Sequence, residues 1–380
     1  MESVELYFHI PFCVRKCLYC DFLSFGDGRS RQDYVRALAQ ETEMHAEECR
    51  KMTVSSVFFG GGTPSLLEPR ELEPVFAALR AGFRLAEDCE ITVECNPGTV
   101  TGEKLDFYRE MGVNRLSIGL QSGLDEELRR IGRIHSKEQF LETWEAAAAA
   151  GFTNCNLDIM SALPGQTAED YRKTLELVGS LDPAPVHVSA YSLILEEGTP
   201  LYDLVQRGAL TLPGEDADRE MYEETGRFLG EMGLRRYEVS NYAVPGYECR
   251  HNLGYWTGVP YLGLGLGASS YFGGCRYRHT EDMAAYLADP AGTRLEEQIL
   301  TKNERMSERM ILGLRLTRGI CAEDFAEEFG TGLREAYGET IARHEKEGLL
   351  ITEKDENGRS FLRFTEKGMD LENYVLRDFV

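Results

Sequence analysis

The chain is short of basic residues: 41 Lys and Arg stand against 64 Asp and Glu in 380 positions, a net charge of −23. That balance opposes broad contact with a phosphate backbone, so no nucleic acid is expected as a partner. Long apolar runs are missing too. None approaches the roughly 18 residues of a membrane-spanning helix, and no transmembrane segment is expected. The opening "MESVELYFHIPFC" has no basic stretch ahead of an apolar one and no small-residue cleavage site, so it does not read as a signal peptide. A cytoplasmic protein is expected, and its ten cysteines are expected to be reduced. Seven of them, Cys49, Cys89, Cys95, Cys155, Cys249, Cys275 and Cys321, are scattered and suit packing as small apolar side chains.

What is present is an alternation. Short β-branched or apolar runs recur at "ELYFHI" from Glu5, "SSVFFGGG" from Ser55, "EITVEC" from Glu90, "NRLSIG" from Asn114, "NCNLDIM" from Asn154 and "PVHVSAY" from Pro185. Helical patterns such as "EPRELEPVFAALRAGF" and "SKEQFLETWEAAAAAGF" separate them, several closing on glycine. Strand and helix in turn predict an α/β fold with a parallel sheet. The unusual polar and glycine residues fall at the carboxyl ends of these runs, where barrels and doubly wound sheets both place their sites. Six units rather than eight predict a partial (β/α)6 barrel, open along one side.

The pattern changes after about residue 230, so the expected division is a core of residues 1–230, a linking region of 231–300 and a C-terminal domain of 301–380. The last of these reads as three helices, the strands "LLITE" and "SFLRFT" and a final helix, an order resembling a winged helix. It carries 13 Lys and Arg against 17 Asp and Glu, the wrong sign for a DNA groove, and packing or protein contact is expected instead.

"HIPFCVRKCLYCDF" holds Cys13, Cys17 and Cys20 in eight positions, spaced x3 and x2. Structural zinc wants four ligands, usually as two C-x-x-C pairs, and no partner pair follows downstream. His9 is a poor fourth ligand because it lies in a predicted strand just before Pro11. Thiolates also suit iron–sulfur clusters, and a cubane held by three would leave one iron free for chemistry or substrate. "GGGTP" from Gly60 offers bare backbone for close approach to a ligand.

C-x3-C-x2-C with Tyr19 before its last cysteine, followed by that glycine-rich stretch, resembles the radical S-adenosylmethionine (SAM) superfamily, along about half the chain. The resemblance implies a [4Fe-4S] cluster on Cys13, Cys17 and Cys20. It also implies SAM bound by Tyr7, Tyr19, Gly61, Gly62, Thr63, Glu94, Gln121, Arg133, Asp158 and Ala190. One branch contains oxygen-independent coproporphyrinogen III oxidase, whose members carry a fourth cysteine and a long covering segment; here position 22 is Phe22, and twelve residues precede Cys13. "CDF" and "HNLGYW" instead resemble the HemW group, described as heme chaperones. That implies heme at His251, Asn252, Tyr255 and Trp256, with delivery to an apo-hemoprotein such as one of the respiratory chain. Imidazole is a common axial ligand of heme iron, and aromatic rings offer flat apolar surface to a macrocycle. The alternative is an enzyme, a coproporphyrinogen III oxidase; a radical SAM enzyme acting on RNA is disfavoured by the acidic charge.

Overall fold

A computed structural model describes residues 3–26, 28, 30–292 and 294–380. The six expected runs form β1 (Ser3–Ile10), β2 (Thr53–Gly61), β3 (Leu85–Cys95), β4 (Arg115–Gln121), β5 (Cys155–Ser161) and β6 (His187–Ser192). They lie side by side in chain order, all parallel. Parallel neighbours need a crossover, supplied by helices Arg31–His45, Pro69–Gly82, Gly102–Glu110, Lys137–Ala149 and Ala168–Gly179. Polar caps start several of them: Thr101 and Thr167 accept from the backbone N–H of Lys104 and Asp170, and Ser136 with Gln139 forms a reciprocal capping box.

Side chains alternate across a strand, and the two faces of this sheet differ in chemistry. Val4, Leu6, Phe8 and Ile10 of β1 join the apolar core beneath the helices. Phe59 of β2 stacks on Phe8 and meets Phe76 of helix Pro69–Gly82, with ring centroids 4.7 Å apart in both cases. The opposite face carries Glu5, Tyr7 and His9 on β1, Glu94 on β3, Gln121 on β4 and Asp158 on β5. Apolar packing thus holds the curved sheet from outside and leaves a polar concave interior.

The sheet does not stop at six strands, nor does it close. β7 (Arg235–Arg236) and β8 (Asn241–Ala243) continue it antiparallel beyond β6. On the other edge β9 (Tyr261–Leu264) pairs parallel with β1, and β10 (Ser269–Phe272), β11 (Cys275–His279) and β12 (Arg294–Ile299) follow as an antiparallel meander. The result is an open sheet of 12 strands with β12 and β7 at its edges. The stretch read as a linking region, 231–300, supplies the strands that extend both edges of the sheet.

The last segment has its own core, including Met310, Leu314, Phe325, Phe329, Ile341, Leu362 and Phe379. Helices Lys302–Gly313, Ala322–Phe329 and Leu333–Lys346 pack on a small sheet of Ile320–Cys321, Leu350–Lys354 and Ser360–Phe364, a winged-helix arrangement. It is joined to the rest by Thr317 N–H donating to Tyr237 O (3.0 Å) and by ion pairs Arg219–Asp370 (2.9 Å) and Arg276–Glu308 (2.8 Å). Truncating Phe59, 1% exposed at the centre of the outer layer, should cost about 3 to 5 kcal/mol, read as a lowered urea midpoint with unchanged slope.

Candidate functional site

The loop after β1 is closed at its neck. Phe12 and Phe25 form an isolated bridge, Cys13 N–H donates to Phe25 O (3.0 Å), and Phe25 N–H donates to Pro11 O (2.8 Å). Its outer part is pinned elsewhere: Leu18 N–H reaches Ile131 O (3.0 Å), Leu201 N–H reaches Leu18 O (2.9 Å), and Arg15 reaches Gly132 O (3.1 Å). Cys13, Cys17 and Cys20 are free thiols, half-buried, and all three face a cavity of about 570 Å³ at the carboxyl ends of the strands. Burial pushes the Cys20 thiol up to about 11, which is unfavourable for a bare thiolate and is reversed when a metal takes the sulfur.

The glycine-rich turn forms the next wall. Gly61 has φ +109° and offers its N–H to Glu94 Oε2 at 3.1 Å. A Cβ at Gly62 would lie 2.8 Å from Phe12 O and 2.9 Å from Ile10 O, so only glycine lets this turn press against the neck of the cysteine loop. Thr63 Oγ1 stands 3.5 Å from Cys13 Sγ.

Across the cavity Arg133, 8% exposed, donates through Nη2 to Gly119 O (2.9 Å) and Asn96 Oδ1 (3.2 Å), and places Nη1 3.7 Å from Cys17 Sγ; its Nε has no partner among the described residues. Glu94 and Asp158 are half-buried, open to the cavity on one side and enclosed by protein on the others. Enclosure, with the Asp158 charge added, raises Glu94 to about 8, and enclosure also raises Asp158, which accepts from Asn156 Nδ2 at 2.8 Å. Gln121, at φ +67°, accepts the Tyr191 hydroxyl at 3.0 Å. The site thus offers three soft donors with N–H and O–H groups around them, two carboxyls that make no direct ion pair among the described residues, and a guanidinium with an unused N–H. A three-thiolate iron–sulfur centre and a ligand bearing both ammonium and carboxylate fit that set.

Of the residues singled out in the sequence, Cys13, Cys17, Tyr19, Cys20, Gly61, Gly62, Thr63, Glu94, Gln121, Arg133, Asp158 and Asn252 line the cavity. Tyr7 and Ala190 stand outside this lining: the Tyr7 ring lies beside the stacked pair of Phe58 (6.2 Å) and His251 (6.3 Å), and Ala190 N–H donates to Ser240 O. A floor of Arg115, Ser117, Asn156 and His187 escaped sequence reasoning. His187 is held between Asn156 Oδ1 (2.6 Å) and the Tyr237 hydroxyl (2.8 Å). The signal was available as a period of two: Ser117, Gly119, Gln121; Asn156, Asp158; His187, Ser189, Tyr191.

"HNLGYW" lies on helix Arg250–Thr257, which scatters it over three environments. His251 is 2% exposed, with Nδ1 2.9 Å from Ser56 Oγ and Nε2 3.0 Å from the Tyr255 hydroxyl, and burial lowers it to about 3. Tyr255 borders a separate cavity of about 150 Å³ with Tyr261, Tyr271 and Arg276. Trp256 O accepts from Arg309 (3.3 Å), and Arg315 stands 5.6 Å over its ring. Another cavity, about 650 Å³, lies between Arg219, Tyr222, Arg236 and Arg363 and contains none of these groups.

Residues 7–178 match the radical SAM superfamily, and residues 300–371 match the HemN C-terminal domain. The chain is 37% identical over 376 residues to the heme chaperone HemW of Lactococcus lactis subsp. lactis (strain IL1403), covering 98% of this chain and 96% of that one. It is 35% identical over 379 residues to the heme chaperone HemW of Bacillus subtilis (strain 168), covering 98% of each. Among solved structures, coproporphyrinogen III oxidase (HemN) from Escherichia coli superposes with a TM-score of 0.84 over 100% of this chain and 90% of that one, at 24% identity, a likeness of fold.

The raised Glu94 carboxyl has a measurable consequence. The folded chain keeps this proton up to about pH 8, whereas the unfolded chain releases it near 4.5, so the associated stability is full below pH 4.5 and is lost as pH rises toward 8. In the cluster-free protein, Glu94→Gln should flatten this decline by up to about 1.4 kcal/mol per pH unit, less whatever water in the cavity screens. Urea unfolding between pH 5 and pH 8 measures it.

Proposed function

The chain belongs to the radical SAM superfamily and, within it, to the family of HemW heme chaperones, and from that kinship we propose that it binds heme and passes it to an apo-hemoprotein. The observation that carries this reading is similarity extending over 98% of the chain to proteins of that name. We assign cluster and SAM binding to the core, residues 1–230, heme to 231–300, and packing or protein contact to 301–380.

Cys13, Cys17 and Cys20 would hold a [4Fe-4S] cluster, with one iron left for SAM. Bound there, the cluster would offer one-electron reduction of the sulfonium of SAM, in a supporting or gating role. Around it Arg133 would take a carboxylate, since its unpartnered Nε provides a further donor. Glu94 and Asp158 would face an ammonium or sulfonium, each regaining its charge beside a cation. The bare backbone of Gly61 and Gly62, with Thr63, would admit the amino-acid end of SAM. Tyr19 and Gln121 complete the contacts, while Tyr7 and Ala190 would back them.

For heme we propose His251 as axial ligand, with Asn252, Tyr255 and Trp256 around the macrocycle. The closed arrangement sets a condition on this. Both imidazole nitrogens are engaged, and the cavity beside Tyr255, about 150 Å³, is below the roughly 300 to 1,000 Å³ of ordinary ligand sites. Helix Arg250–Thr257 must therefore move, and Nε2 must leave Tyr255, before iron reaches the ring. Each hydrogen bond released costs on the order of 1 kcal/mol, small beside an iron–imidazole bond.

Hemin titration with stopped-flow mixing tests the proposal. Wild type should take up about one heme per chain. His251→Ala should bind at least tenfold more weakly with a shifted Soret band, and Tyr255→Phe, which frees Nε2, should bind faster than wild type. Hemin affinity and rate unchanged in both variants would remove His251 as ligand; no uptake by wild type would reject the heme reading. Replacing the three loop cysteines by Ala should meanwhile abolish iron and sulfide content after anaerobic reconstitution.

A further inference from the structure

On the far side of β1 from the cysteine cavity, three side chains with metal-ligand chemistry converge inside the protein. Glu41 and His45 are four residues apart on helix Arg31–His45 and so share one face; His279 ends β11. They are 0%, 2% and 0% exposed, and one ligand atom from each lies within 4.8 Å of the others.

Hydrogen bonding among these groups is incomplete in a particular way. Among the described residues Glu41 Oε1 and His45 Nε2 are buried without a hydrogen-bond partner, and the His279 ring, which has the Gly263 backbone beside it, keeps at least one nitrogen free. His279 Nε2 and Glu41 Oε1 stand 3.1 Å apart, yet their alignment does not make a hydrogen bond. Buried polar atoms are nearly always satisfied, and each orphan costs about 1 to 3 kcal/mol, so several in one place call for an occupant. Two ligands at about 2.0 to 2.1 Å from a tetrahedral ion are about 3.4 Å apart, close to the separation found here.

The outward sides of the same groups are tied down. Glu41 Oε2 accepts from the Tyr286 hydroxyl (2.5 Å) and from Gly265 N–H (2.9 Å). His45 Nδ1 lies 3.2 Å from Glu48 Oε2, and Glu48 is paired in turn with Arg294 (3.2 Å). A carboxylate on the far nitrogen of an imidazole is the usual support of a metal-ligating histidine, fixing its tautomer and aiming the other nitrogen inward.

We propose that Glu41, His45 and His279 bind one divalent first-row transition ion through Glu41 Oε1, His45 Nε2 and His279 Nε2, with zinc as the probe. Two imidazoles and a carboxylate are the borderline donors such ions favour over calcium or magnesium, and the remaining position is left for a water. The ion would tie the first crossover helix to the meander that extends the sheet. It is chemically separate from the cluster: nitrogen and oxygen here, sulfur there.

Zinc binding to the full chain tests this in a Cys13→Ser, Cys17→Ser, Cys20→Ser background, which removes the three clustered thiols. After dialysis against zinc and washing, elemental analysis should find about one zinc per chain, and zinc should raise the melting temperature. His45→Gln or His279→Gln added to that background should lower zinc affinity at least tenfold and abolish the rise. X-ray absorption of the zinc-loaded parent, which needs no histidine variant to fold, should show two imidazoles and oxygen around the ion. No retained zinc, equal zinc in the histidine variants, or a sulfur shell would each overturn the proposal.

Discussion

Ionisable groups kept inside an open barrel are the constraint on which the rest of the molecule depends. Glu94, Asp158 and Arg133 sit at the carboxyl ends of the strands with no ion pair among them, and beneath them Arg115, Asn156 and His187 form a polar floor. Such groups are costly in a protein interior unless hydrogen-bonded or paired. The outer layer makes the arrangement affordable, because the helices bury a continuous apolar surface on the other face of the same strands. Ligand binding would then complete the site: an ammonium or sulfonium beside the carboxyls and a carboxylate beside the guanidinium relieve what folding leaves unbalanced.

The cysteine loop obeys the same logic through its backbone. Three thiols must point one way with room for a fourth partner, and a free loop of this length would not hold them there. Its neck is bonded across Phe12 and Phe25, its tip is bonded to Ile131 and Leu201, and Gly62 lets the glycine-rich turn press on the neck. Helix Arg250–Thr257 links this centre to the rest, since Asn252 borders the cysteine cavity while Trp256 meets Arg309 and Arg315 of the C-terminal module. Movement of that helix, required for heme to reach His251, would be felt at both ends.

Much of this was legible in the sequence, and the failures have physical causes. β1 to β6 announce themselves because each is a short, mostly apolar run set between helical patterns, and the three-cysteine spacing is too specific for packing alone. β7 to β12 did not, because strands of two to six residues show no period. The hairpin signal of Gly273–Gly274 between β10 and β11, with φ +61° and +74°, was present in "SSYFGGCRY" and passed over. "HNLGYW" reads as one patch on paper. On a helix, His251 and Tyr255 share a face toward the sheet interior while Asn252 turns to the cavity, so the imidazole is enclosed where a displayed ligand was expected. Glu41, His45 and His279 could not be assembled from sequence at all, since a strand far down the chain completes the trio.

Heme carriage rather than porphyrinogen chemistry is the central claim, and one sample decides it. Anaerobically reconstituted protein should be divided between a hemin titration and an assay with coproporphyrinogen III, SAM and reductant. About one heme bound per chain with no decarboxylated porphyrin is the predicted result. Steady decarboxylation by protein that retains no hemin would contradict it and make the chain an oxidase.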